Sequence, residues 1–486
     1  MSYALYQDPM QGQPMVIPKD SGIGVQLTPE HWSLYDPVLL RHMLATMNTL
    51  RNLFHVYLCW RQIRLCTTYD EPPPELANVM SIEQFETAKI EEMYTAEYKM
   101  VEYIFDAILS CMELYFCILP AIWRLIINTY SIVDDLIWQS IAFVAAFSGY
   151  MVLRRLPEIL YSRFFLAPWY DPRQEKSLPL VGLLCSFPLL FVILQLGLVP
   201  LTAIFLEIEK TGKTWFWLWI WSLLILLSAI ALIAFCVFGL PLLGAKVKDP
   251  AAVADLQHIL KDVLKTFGFR PESIHIVRTF HSMSATAYVW GCCFYKRVYI
   301  MKTLIFNQGK PASELLHPDE VGKGLQNNQL VAYIAHEMCH WRQVHVLQAF
   351  IVIHTTLLIY FLIFGTVYRQ TVLYEASGFH PIYFPPIVGY WLVYKYVMPL
   401  YLTITNWINL YFLRYLKYAA DKKTWEMGYG PVFVDALVKL FGDNPTYPYV
   451  DKLYLMWHRY RPTTLMRIRR IKRLERKSKL TTSSTV

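Results

Sequence analysis

The run from Thr214 to Ala245, TWFWLWIWSLLILLSAIALIAFCVFGLPLLGA, contains no Asp, Glu, Lys or Arg. Neither does the run from Ser177 to Leu206. Each exceeds the roughly 20 residues needed to cross the apolar core of a bilayer. A helix in a globular core rarely extends so far without a charge, so these runs imply a polytopic membrane protein. The composition agrees. The 486-residue chain is 55% hydrophobic, 15% aromatic and only 17% charged, where a soluble chain carries about 25% charged residues.

Seven spans are expected, near 38–60, 103–128, 136–153, 178–206, 215–240, 346–368 and 386–412. Arg41 and Arg51 interrupt the first. Trp60, Trp123, Trp138 and Trp215 sit at span edges, as in an interfacial belt. Lys and Arg gather after the first, third, fifth and seventh spans, while 128–135 has neither and 369–385 has only Arg369. The positive-inside rule then places the C-terminus and the polar loop 307–328 in the cytosol. No acidic relay stands out inside the spans, which argues against a channel or transporter. The net charge of +8 lies largely beside the membrane and in a tail after Arg461. That tail is read as solvated and in contact with anionic lipid headgroups, so no nucleic acid is implied. Met1 to Glu30 is polar and lacks the pattern of a cleavable signal. Nine scattered cysteines without a Cys-x-x-Cys pair argue against a disulfide framework.

After Gly244 the pattern changes. Residues 250–267 have helical periodicity, and 273–279 and 297–301 alternate as short strands. Helices are expected over 414–427 and 431–441. Between these parts lies His336-Glu337-Met338-Cys339-His340, led in by the apolar run Gln329–Ala335. Positions four apart share a helix face, so both imidazoles can reach one metal ion, with Glu337 beside them to take a proton from bound water. This is the chemistry of a zinc protease. Two ordinary helix histidines flanking a surface glutamate are the plainer alternative.

The chain resembles the type 1 CAAX prenyl protease family, the seven-span zinc metalloproteases of the a-factor-converting kind. The resemblance runs from about Tyr57 to Lys472. Its landmarks are Tyr57-Leu58-Cys59-Trp60-Arg61-Gln62 leading to Pro73-Pro74-Glu75-Leu76, and Ala287-Tyr288 with Gly291 and Lys296-Arg297. His336 to His345, Ala420-Asp421 and Met456-Trp457-His458 complete them. It implies a mainly α polytopic fold with a cytosolic zincin-like domain carrying a small β-hairpin. It implies one zinc ion held by His336 and His340, with Glu337 as general base. It further implies an endoplasmic reticulum membrane and, as substrates, prenylated proteins that lose their C-terminal a-a-X tripeptide. On this basis 1–37 is a polar N-terminal segment and 38–245 a five-span transmembrane region. Residues 246–472 form the metallopeptidase domain with the last two spans, and 473–486 a basic, polar tail.

Several positions depart from the family pattern. The third zinc ligand, a Glu four residues before the Asp of Ala420-Asp421, is replaced by Lys417. An ammonium has no lone pair for zinc and repels it. A His that contacts substrate and transition state is Arg461, and an Asn that holds substrate backbone is Thr286. A further family block becomes Ala167 to Arg173. Asp421 is then either a replacement third ligand or the group that holds a ligand histidine from behind. His345 and His458 are read as supporting groups. The favoured reading is an enzyme with a rearranged site. The alternative is a catalytically impaired protein that binds prenylated or membrane-stalled chains.

The orientation has a direct test. Glycosylation acceptors inserted within 312–326 should stay unmodified, and those within 371–380 should be modified where they clear the membrane. The opposite pattern would invert the topology.

Overall fold

A computed structural model describes residues 4–7, 14–17, 36–129, 136–166, 170, 180–238, 245–246, 250–278, 286–292, 295–306, 322–379 and 385–483. The expected features at 167–169, 171–173 and 307–321, and most of the N-terminal segment, lie outside the described residues.

Among the described residues, four helical segments are long and apolar enough to cross a bilayer: Ile137–Leu166, Pro188–Phe235, His345–Val367 and Pro386–Asp443. A fifth arises if Ile82–Tyr115 and Ile118–Thr129, bent by 56°, count as one broken span. Pro188–Phe235 is 48 residues long. At about 1.5 Å per residue it greatly exceeds a hydrocarbon core of about 30 Å. It therefore has the length of the expected fourth and fifth spans together, with Glu207, Glu209, Lys210 and Lys213 at their junction. The expected first span differs. It is a helix, Pro37–Cys66, but is not among the segments apolar enough to cross. Besides Arg41 and Arg51, it keeps Asn48, Asn52 and His55 buried.

The chain forms two compact units, each drawn from separated segments. The first comprises 1–56, 101–221 and 358–403. It holds a buried ion network that the sequence pattern did not announce. Glu113 is only 1% exposed. It accepts from Tyr150 Oη at 2.6 Å and Arg154 Nε at 2.8 Å, and it pairs with Lys395. Arg154 Nη2 also reaches Asp106 at 2.7 Å, and Arg51 and Asn52 reach the same carboxylate at 3.1 and 2.9 Å. Asp106, Glu113 and Lys395 fall inside expected spans. Such groups persist there only when each finds a partner.

The second unit comprises 57–100, 222–357 and 404–486. Its sheet runs Ala245–Lys246, Ile274–Arg278, Tyr295–Met301, Ala287–Cys292 in spatial order. The last two strands form the expected hairpin, in register Tyr288↔Tyr299 and Trp290↔Arg297. Gly291 has φ +119°, and a Cβ there would lie 1.8 Å from the Tyr295 carbonyl oxygen. Only glycine fits this position. Its own carbonyl accepts from Trp341 Nε1 at 2.7 Å, fastening the hairpin to the helix Asn327–Arg342.

That helix carries the His-Glu-x-x-His motif and will be called the motif helix. Gln326 and Gln329 cap its first turn reciprocally. Its buried residues include Leu330, Ala332, Ile334, Ala335, Met338 and Cys339. They lie all round the axis, which makes it a core helix. Phe85, Leu260, Val298, Phe433 and Ile468 share the same cluster.

The first part of the tail departs from the expected solvation, while 476–480 are exposed. Residues 464–483 form a helix, Thr464–Ser483, whose Leu465, Ile468 and Ile471 are buried in that core. Arg467 lies on the same buried side and makes a two-pronged pair with Asp421, Nη2–Oδ1 2.7 Å and Nε–Oδ2 3.0 Å. Removing one partner of a buried pair strands the other charge, at a cost of about 3–5 kcal/mol. Arg467→Met should therefore lower the apparent melting temperature of the detergent-solubilised chain markedly. Arg473→Met, at an exposed position of the same helix, should leave it nearly unchanged. Equal melting of the two variants would refute the tail's place in the core.

Candidate active site

The site forms where four helices of the second unit converge. The motif helix supplies His336, Glu337 and His340. The helix Met398–Thr424 supplies Lys417, Asp421 and Thr424, which share one face by their spacing. The helix Gly430–Asp443 supplies Phe433, whose ring stacks on His336 at 4.7 Å. The tail helix supplies Arg467.

Each imidazole is held through its Nδ1. His336 Nδ1 lies 3.3 Å from Asp421 Oδ1 and 3.4 Å from Thr424 Oγ1. That carboxylate fixes a proton on Nδ1 and leaves the lone pair on Nε2. His340 Nδ1 lies 2.7 Å from His345 Nδ1. His340 Nε2 is buried and makes no hydrogen bond among the described residues. Burial first, then the charges of Lys417 and Arg467, hold the His336 pKa well below its ordinary value. Burial, then Lys417, His345 and Arg467, push that of His340 down to about 2. Both rings are therefore neutral at physiological pH, the form that ligates metals.

The rest of the site opposes a metal. Lys417 Nζ donates to Glu337 Oε1 at 3.3 Å, so an ammonium stands at the base of the motif. Arg467 Nη2 approaches His336 Nε2, the atom a metal would take, at 3.4 Å. Asp421 sits on the Nδ1 side of His336 with both oxygens engaged by Arg467. It is the group that holds the ring from behind, and its oxygens do not join His336 Nε2 and His340 Nε2 as a third donor. A catalytic zinc takes three protein donors and keeps a fourth position open. Among the described residues no three His, Cys, Asp or Glu side chains are grouped to hold one ion. The two imidazoles suit a metal. The donor set as a whole does not fit a three-donor zinc, as the lysine at position 417 led one to expect.

The remaining expected residues are placed variously. Thr286, just before the hairpin, has Oγ1 3.5 Å from the hydroxyl of Tyr333, one turn ahead of Glu337. Arg461 is exposed, with its guanidinium 5.0 Å from the Tyr460 ring centroid. His458 stacks on Tyr454 at 4.7 Å. Sequence reasoning missed Arg467, Thr424 and Phe433. A signal for Arg467 existed in the apolar spacing of Leu465, Ile468 and Ile471, which marks one buried face within a basic segment.

Comparison with known proteins places this geometry. Residues 62–245 match the family described as CAAX prenyl protease N-terminal, five membrane helices. Residues 250–475 match peptidase family M48. The CAAX prenyl protease 1 homolog of Homo sapiens is 22% identical over 449 residues, covering 87% of this chain and 93% of that protein. CAAX prenyl protease 1 of Saccharomyces cerevisiae is 23% identical over 454 residues, covering 88% and 94%. The crystal structure of S. mikatae Ste24p superposes with a TM-score of 0.67 at 21% identity, covering 89% of this chain and 98% of that one, and so shares its fold. The multi-pass helices, the motif helix with its hairpin, and these matches over most of the chain lead to one assignment: the chain belongs to the type 1 CAAX prenyl protease family of membrane metalloproteases.

Proposed function

We propose that this chain receives prenylated C-terminal Cys-a-a-X peptides at an endoplasmic reticulum membrane, with its motif helix on the cytosolic side, and holds them without cleaving them. The ligand class is suggested by the relatives, which are named CAAX prenyl proteases and align over most of the chain. The loss of cleavage rests on one observation: the ammonium of Lys417 is bonded to Glu337, where the family pattern has a ligand carboxylate. Glu337 Oε1 points at this cation, and two imidazoles are left to do the work of three donors. The hairpin offers a seat for the peptide. Ala287–Cys292 is the edge strand of its sheet, and the Trp341–Gly291 bond keeps it beside the motif helix. An extended peptide can add to such an edge through backbone hydrogen bonds.

A second reading, cleavage of the a-a-X tripeptide with Glu337 as general base, is favoured by the bare, buried Nε2 of His340. A bound metal would there supply a polarised water, and Glu337 would accept its proton. A farnesylated peptide separates the two readings. The purified chain should bind it without turnover, and Glu337→Gln should bind comparably. Turnover in the parent that disappears in Glu337→Gln would establish the hydrolase and sink the holding reading.

A further inference from the structure

We infer that Lys417 takes the place of the metal ion itself: its ammonium is the fixed cation about which this site is built, and the chain keeps its fold and its peptide ligand without a metal. The inference deepens the holding reading and rests on it for the identity of the ligand.

Charge matching carries the argument. Two carboxylates, Glu337 and Asp421, flank two neutral imidazoles. Each carboxylate has its own cation, Lys417 at 3.3 Å and Arg467 at 2.7 Å. Burial lowers the Lys417 pKa, and the Glu337 and Asp421 carboxylates oppose that and favour its charged form. These four charges balance among themselves, and the exposed Arg461 adds a further cation that also acts on His340. In a three-donor zinc site the balance is struck differently, with a carboxylate at the position of Lys417 and a divalent cation among the donors. Adding such a cation here would leave two excess positive charges in a partly buried site, beside an ammonium and a guanidinium that both repel it. The position is equally specific. Lys417 lies one turn before Asp421 on the face of its helix that meets the motif helix, and its ammonium reaches Glu337 from there, the position from which the resemblance has a third donor project. Arg467 adds a second, independent obstruction by approaching His336 Nε2 at 3.4 Å.

The exchange of metal for ammonium also names the chemistry that the site can recognise. An ammonium has three N–H donors, one of which goes to Glu337. It can donate to a peptide carbonyl or carboxylate oxygen, the kind of atom that a metal would polarise. It cannot bind and activate a water as a Lewis acid does. The site can therefore grip a backbone oxygen of an extended peptide while lacking the means to hydrolyse it.

The test uses the full chain in detergent or nanodiscs, with zinc content by elemental analysis, melting temperature, and binding of a farnesylated peptide. For the parent, added zinc or 1,10-phenanthroline should change neither melting nor peptide binding, and zinc should remain well below one ion per chain. Lys417→Glu would set two carboxylates face to face, which need a cation between them. It should raise zinc affinity by at least about tenfold and make melting zinc-dependent. Lys417→Gln supplies neither cation nor carboxylate, so it should melt lower and bind peptide several-fold more weakly, with no gain of zinc. The inference is overturned if chelation melts the parent or releases its peptide, if Lys417→Glu takes up no more zinc than the parent, or if Lys417→Gln matches the parent in melting and binding. Should Lys417→Glu fail to fold, the chelation result and Lys417→Gln decide. A chelator-insensitive parent that binds no peptide would defeat the proposed ligand alone and leave the metal-free site standing.

Discussion

The buried pair of Arg467 and Asp421 is the interaction on which the site depends. It ties the tail helix to the helix bearing Lys417, and through Asp421 it orients His336 on the motif helix. Three segments far apart in sequence thus meet at one carboxylate. Both members are buried, so neither can be lost without exposing the other to an apolar environment. The apolar face of the tail helix, with Leu465, Ile468 and Ile471, supplies the burial that gives the pair its rigidity. A two-pronged guanidinium fixes direction as well as distance, and this holds the His336 ring at a set angle.

Around that pair the chain keeps the family's fold. Its motif helix is capped reciprocally, and its hairpin is fastened by Trp341. The imidazoles remain neutral and backed at Nδ1, as a metal ligand requires. The charge facing them is positive: Lys417 on the opposing helix engages Glu337. Fold and chemistry are therefore separate questions here, since a shared fold does not determine what the residue at position 417 can do.

The parts legible in the sequence were those in which neighbouring residues carry the information. Uncharged runs reveal spans because span length is a property of composition. The histidine pair reveals a site because its spacing is that of a helix turn. The strands at Ile274–Arg278 and Tyr295–Met301 show in their alternation. The illegible parts depend on distant partners. Arg467 reads as one more tail cation until Asp421, 46 positions earlier, is seen beside it. The helix Pro37–Cys66 reads as a weak span because the asparagines and arginines that disqualify it find their partners elsewhere, as Arg51 does in Asp106. Lys417 was suspect from its position alone, but its bond to Glu337 joins residues 80 apart.

The ion network of the first unit bears on how the protein is made. Asp106, Glu113 and Arg154 are synthesised early, and Lys395 arrives only after more than half of the remaining chain has followed. By then Arg154 already pairs with Glu113 and Arg51 with Asp106, so the two early carboxylates face two early guanidiniums and need no later charge. Lys395 depends on them in turn: when the segment Pro386–Leu392 and the π-helical turn that follows it bring it into place, Glu113 is already there to receive it. Assembly of this unit can consequently begin before the chain is complete. The unmatched charge arises the other way round: a chain whose first helices misassemble would present Lys395 without its carboxylate, a feature by which membrane quality control could tell misassembled molecules from sound ones.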